Sequence, residues 1–195
     1  VTPDASRQVR VKVAISFIDE AAARANLDAE IPGFDFAAVR AACEQAWREV
    51  LGLIEVEGGT AEERTVFWTA LVHSYLMPNL FTDADGRYRG FDKEVHEAGD
   101  APFYSNFSMW DTYRTLHSLV TLISPDTAHD FAVSLVRMWE EGGLLPRWPA
   151  GLGEGGSMVG ESAYIVLVDT FIKGITDWDA DSAWAGMMHG ATLPD

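Results

Sequence analysis

Phe36-Ala37-Ala38-Val39-Arg40-Ala41-Ala42-Cys43-Glu44-Gln45-Ala46-Trp47 sets the period of this chain. Phe36, Val39, Cys43, Ala46 and Trp47, continued by Val50 and Ile54, recur at steps of three and four. That spacing puts them on one face of a helix starting near Asp35. Upstream, the Ala-rich residues 19–31 keep the same spacing and stop at Pro32-Gly33. Downstream, Gly58-Gly59 interrupts the pattern. Thr60 and Glu63 then stand at capping-box spacing before a stripe through Val66, Phe67, Ala70, Leu71, Ser74 and Tyr75, ended by Met77-Pro78.

Helical spacing returns over about 108–123, restarts at Ser124-Pro125-Asp126 through Phe131, Leu135, Met138 and Trp139, and recurs over about 158–173, with a further helical start after Asp181. One segment has another period. Val9, Val11, Val13, Ile15 and Phe17 alternate with Arg10, Lys12, Ala14 and Ser16, so the first eighteen residues read as a half-buried strand. A lone strand needs a sheet that the rest of the sequence hardly supplies. The expected fold is therefore mainly α with one strand at the front, and without short repeats. Two polar connections, 78–103 and the glycine-rich 142–157, are long enough to suggest functional loops.

The chain of 195 residues is long enough for one sizeable core, with 48% hydrophobic and 11% aromatic residues. Thirty acidic against fourteen basic residues give a formal charge of −16. This excludes a nucleic-acid partner, whose phosphates require clustered Lys and Arg, and disfavours anionic lipid. A single cysteine, Cys43, excludes an internal disulfide and a cysteine-rich metal cluster. No apolar run approaches the length of a membrane span. The opening Val1-Thr2-Pro3, with neither Met nor a hydrophobic leader, points to a processed chain or an excised piece.

Several familiar patterns fail on context. Gly151, Gly153 and Gly156 spell the dinucleotide fingerprint, but prolines 146 and 149 precede them where a strand is required. Asp83-Ala84-Asp85-Gly86 has its glycine fourth rather than sixth for a calcium-binding EF-hand loop, so a turn is expected. No two of the five histidines are spaced as a helical metal pair, and His73 and His117 read as core or rim residues. Gly156-Ser157-Met158-Val159-Gly160 is no nucleophile elbow.

The densest constellation is 103–114, where Phe103, Tyr104, Phe107, Trp110 and Tyr113 accompany Asp111 and Arg114. Aromatic rings cover the apolar C–H face of a sugar while a carboxylate accepts bonds from paired hydroxyls. Arg147 and Trp148 could add a second ring and charge. An equally weighted reading makes Trp110 and Tyr113 core residues and leaves Asp111 at a helix terminus.

At these residues the sequence resembles the glycoside hydrolase family 92 α-mannosidases, along nearly its whole length. The ordered similarities include residues 11–17, Ile31-Pro32-Gly33-Phe34-Asp35-Phe36, Phe67-Trp68-Thr69-Ala70-Leu71, residues 83–90, Tyr104-Ser105-Asn106-Phe107-Ser108-Met109-Trp110-Asp111, residues 143–149 and Lys173-Gly174-Ile175. The resemblance implies part of an inverting, calcium-dependent exo-α-mannosidase acting on mannose-containing glycans, secreted or periplasmic. It implies the last strand of an N-terminal β-sandwich over 1–18, linker helices over 19–58, and the first part of an (α/α)6 catalytic barrel over 59–195. Asp111 and Trp110 would bind the terminal mannose, with Arg147, Trp148 and Glu161 beside them and Glu154 at the rim. The general acid, the base and most calcium ligands would lie outside this chain, in other parts of the same enzyme. Gly160-Glu161-Ser162 stands where many relatives carry Gly-Asp-His, which points to a changed preference. Asp177-Trp178-Asp179 resembles a helix connection.

Two rivals follow from the residues themselves. A non-catalytic carbohydrate-binding or structural helical domain would need no acid or base. Another (α/α)-barrel glycosidase could use Asp111 and Glu161.

Overall fold

The computed structural model describes residues 9–193. Eight helices and four very short strands occur among them. Helix α1 (Glu20–Glu30) is capped by Asp19, whose carboxylate accepts from Ala22 N–H, and α2 (Phe36–Leu51) is capped likewise by Asp35. Before α3 (Ala61–Ser74), the expected capping box forms in full, with Thr60 and Glu63 each satisfying the other's backbone N–H.

The front segment departs from the expectation. Residues 9–17 carry no strand pairing among the described residues, and residues 1–8 of the expected strand lie outside them. Its two-residue alternation is present but inverted. Val11 is 76% exposed, with Val9, Val13 and Ile15 similarly bare, whereas Lys12, Ala14 and Ser16 turn toward the helices. Ser16 Oγ donates to Asp83 at 2.5 Å and Asn26 Nδ2 to Ile15 O at 3.0 Å. A strand forms only when another strand takes its backbone groups, and here the available partners are side chains. The α2 stripe is likewise uncovered: the helix has no buried residue, and Phe36 is 77% exposed.

The 78–103 connection is a packed platform, not a bare loop. Strand β1 (Asn79–Leu80) pairs antiparallel with β4 (Tyr104–Ser105), and β2 (Arg87–Arg89) with β3 (Val95–Glu97). The turn expected at Asp83–Gly86 forms, with Gly86 at φ +87° and its N–H donating to Asp83 O at 2.9 Å. Buried aromatics consolidate the platform, Tyr88 stacking on Phe103 and Phe81 on Phe17 with centroids 4.3 Å apart.

The single helix expected over 108–123 is two, a one-turn α4 (Met109–Thr112) and α5 (Leu116–Ile123). Helix α6 (Pro125–Gly142) starts at Pro125, which fits a first helical turn, and ends on Gly143 in the left-handed region at φ +80°. It packs against α5, α7 (Ser162–Ile172), α8 (Ala180–Thr192) and β4. Phe131, Leu135 and Met138 of α6 join Phe107, Met109 and Leu167 in the buried core. Asp177-Trp178-Asp179 is the α7–α8 connection as expected, Asp179 capping α8 through Ser182 N–H at 2.8 Å.

Candidate functional site

Helix α4 carries Trp110 and Asp111. Buried Met109 and Phe107 anchor the turn from beneath, so Trp110 and Asp111 face outward. Ser108 Oγ donates to Asp111 Oδ2 at 2.6 Å and fixes that carboxylate. Trp110 is not a core residue, whereas Tyr113 does pack against the core; Trp110 lies at the surface. It is 39% exposed and has the Arg114 guanidinium over its ring at 4.9 Å. Arg114 also lies 4.7 Å over the Tyr113 ring and donates to Tyr113 Oη at 2.7 Å. Asp111 makes no cap bond to backbone. Its oxygens are therefore placed by a hydroxyl, not spent on a helix end.

The glycine-rich loop brings together a second group. Arg147 Nη2 donates to Glu161 Oε1 at 2.8 Å, and the bond and charge of Glu161 hold the guanidinium pKa above its ordinary value. Both side chains are exposed enough that this pair contributes at most about 1 kcal/mol; its effect is orientation. Glu161 also stands beside Tyr164, whose phenol is pushed upward by burial and then by that carboxylate. Helix α7, which starts after Glu161, packs against α4. The structure thus places Arg147, Trp148 and Glu161 on one arm and Trp110 with Asp111 on the neighbouring turn, with no direct bond between the two sets among the described residues.

Glu154, exposed as expected of a rim position, also latches its own loop. Its carboxylate turns into its own loop and accepts N–H bonds from Arg147 at 2.7 Å, Trp148 at 3.1 Å and Gly156 at 3.0 Å. Three backbone donors on one carboxylate leave little for a ligand. The glycines serve this turn: Gly151 and Gly156 have φ of +62° and +65°, and no nucleotide fingerprint is formed.

Sequence spacing missed one convergence. Asp92, His96 and Glu141 offer ligand-type atoms within 4.8 Å of one another. The four-residue step from Asp92 to His96 was legible; Glu141, on α6, was not. His96 Nε2 lies 3.0 Å from Asp92, while Glu141 accepts from Tyr88 Oη at 2.5 Å and Phe91 N–H at 3.0 Å. These bonds tether the β2–β3 hairpin to α6. Calcium takes six to eight oxygens, and an imidazole with two engaged carboxylates does not fit it.

The comparisons with known proteins agree with this picture. Residues 22–195 match the glycosyl hydrolase family 92 catalytic domain. An uncharacterized secreted glycosidase of Arthroderma benhamiae is 28% identical over 179 residues, covering 88% of this chain and 19% of that protein. A family GH92 α-mannosidase of Bacteroides thetaiotaomicron superposes with TM-score 0.86 at 31% identity, covering 92% of this chain and 24% of the relative. That relative has also been solved with mannoimidazole bound. An inverting family GH92 mannosidase of the same organism superposes with TM-score 0.85 at 31% identity, covering 92% and 25%. The chain spans about a quarter of these solved relatives, and it belongs to the glycosyl hydrolase family 92 catalytic domain family.

Proposed function

We propose that this chain is a portion of an inverting, calcium-dependent exo-α-mannosidase that removes terminal α-linked mannose, or mannosyl phosphate, from glycans outside the cytoplasm. The observation that carries the reading is the Ser108–Asp111 turn. A carboxylate oriented by a hydroxyl stands next to a partly exposed indole, within a chain of this family. In this reading Asp111 accepts hydroxyls of the terminal mannose and Trp110 covers its C–H face. Arg147, Trp148 and Glu161 form the adjoining wall. Residues 59–195 are the first part of an (α/α)6 barrel, 19–58 its linker helices, and 1–18 the last strand of a β-sandwich.

An inverting hydrolase places one carboxylic acid on the leaving oxygen and one carboxylate behind a water. Asp111 and Glu161 are assigned to binding, and the acid, base and calcium ligands to the remainder of the enzyme. The test is turnover by the complete polypeptide containing this chain. Mannose should be released from an α-mannoside as its β-anomer, and a chelator should stop the release. Failure on every mannoside and mannosyl phosphate, with calcium present, would leave the non-catalytic carbohydrate-binding domain as the better account.

A further inference from the structure

We propose that Asn106 is a positioning residue, the clamp that joins the two halves of the sugar site; the claim about turnover rests on the mannosidase reading above. Asn106 is one of two non-glycine residues at positive φ among the described residues, at +63°. Asparagine tolerates this conformation better than most side chains, and non-glycine residues held in it concentrate at functional sites. The backbone turn aims the amide between three segments. Nδ2 donates to Asn79 Oδ1 at 2.8 Å, and Oδ1 accepts the Gly151 N–H at 2.8 Å. The neighbouring Ser105 Oγ donates to Gly151 O at 2.7 Å. Both polar groups of the Gly151 backbone are therefore held by adjacent residues of one segment.

Asn106 also lies two residues before Ser108, which orients Asp111. On the other side, Gly151 belongs to the loop that Glu154 folds around Arg147 and Trp148. Among the described residues no hydrogen bond joins the two sets of sugar-facing side chains directly; α7 packs on α4 behind Glu161, and residues 105 and 106 tie the Arg147–Trp148 loop to the α4 turn. Asn106 acts through Asp111 and Trp148 and touches no reacting atom. Losing the clamp should loosen the arm and weaken substrate binding more than it slows chemistry.

The experiment compares Asn106→Gly and Asn106→Asp with the unchanged complete enzyme. Glycine keeps the backbone conformation and removes both amide bonds, so strain is not confused with the clamp. Aspartate keeps the acceptor for Gly151 N–H. Asn106→Gly should raise KM for an aryl α-mannoside about tenfold, one lost hydrogen bond's worth, with kcat changed less than threefold. Amide hydrogen exchange across 147–156 should quicken by a similar factor while α6 stays protected. Asn106→Asp should restore protection at Gly151 and most of the KM. A wild-type KM and wild-type exchange in Asn106→Gly would overturn the clamp, as would equal loosening of α6, which marks general destabilisation. If the unchanged enzyme cleaves no mannoside, the functional reading fails, and exchange at 147–156 still decides the clamp.

Discussion

His117 is 5% exposed, flanked by the Phe107 and Phe131 rings at 6.2 and 6.0 Å. Burial, only slightly offset by the charge of Asp169, pulls its pKa down to about 4. Between that value and the unfolded 6.5 the unfolded chain binds the extra proton, so stability increases with pH. The contribution is complete above pH 6.5 and is lost as pH falls through 4, on the order of 3 kcal/mol in all. In His117→Phe, urea midpoints at pH 7 and pH 4.5 should differ less than in the parent protein; an unchanged difference would refute the buried neutral imidazole. Asn26 makes a second residue-scale case. It is 7% exposed, donates to Asp83 Oδ1 and Ile15 O, and accepts from Ala84 N–H at 2.8 Å. Asn26→Ala leaves these groups without partners and should cost about 1–3 kcal/mol by chemical denaturation. The expectation of a core or rim position, drawn from placement within helices, holds for His117 and fails for His73, which is exposed. The sequence did not show the Asn26 network, whose members lie up to 58 residues from Asn26 in sequence.

At the scale of elements, local signals were legible and pairing was not. The Thr60 capping box and the Pro125 start are local to a few residues, and each formed where its residues stand; the loop expected from 142 begins one residue later, at Gly143. The strands β1 to β4 were hidden because each has two or three residues, too few for alternation to register. The break between α4 and α5 was hidden because apolar spacing continues across it. The Val9–Phe17 alternation gave the right period; period does not say which face is covered, and in this chain taken alone the valine face is bare. Close packing of α6 and α8 supplies a test. A Cβ at Gly186 would meet the Trp139 ring at 2.9 Å and Leu145 at 3.2 Å. Gly186→Ala should therefore destabilise by about 1–3 kcal/mol, overpacking outweighing its gain in helix propensity. A more stable Gly186→Ala protein would contradict this packing.

Across the whole molecule, charge and covering decide the behaviour. The formal charge of −16 opposes phosphate binding by this segment but does not mark a calcium site, because the acidic side chains converge poorly on any described point. Apolar side chains remain bare on 9–15, on α2 and on α7, including Val13, Phe36 and Ile172. Exposed apolar surface of this extent marks faces made to be covered. Expressed alone, residues 1–195 should bind a dye such as ANS and self-associate, whereas the complete polypeptide should do neither. A monomeric, dye-silent fragment would argue against the sandwich-and-barrel placement. From the sequence, Trp110 and Asp111 were legible as neighbours on one helical start; the Arg147–Glu161 pair was not, since its partners stand 14 residues apart. Of the devices that place them, Ser108 bonds the Asp111 carboxylate side chain to side chain, while Glu154 and Asn106 hold backbone N–H groups of the loop, contacts that spacing does not reveal.

The α4 turn is proposed to form part of a mannose pocket. Calorimetric titration of the complete enzyme with mannoimidazole, set beside Asp111→Asn, tests it most directly. Loss of a charge-assisted acceptor at a sugar hydroxyl should weaken binding by about 10- to 100-fold. Undiminished affinity in Asp111→Asn, with the protein folded, would contradict it.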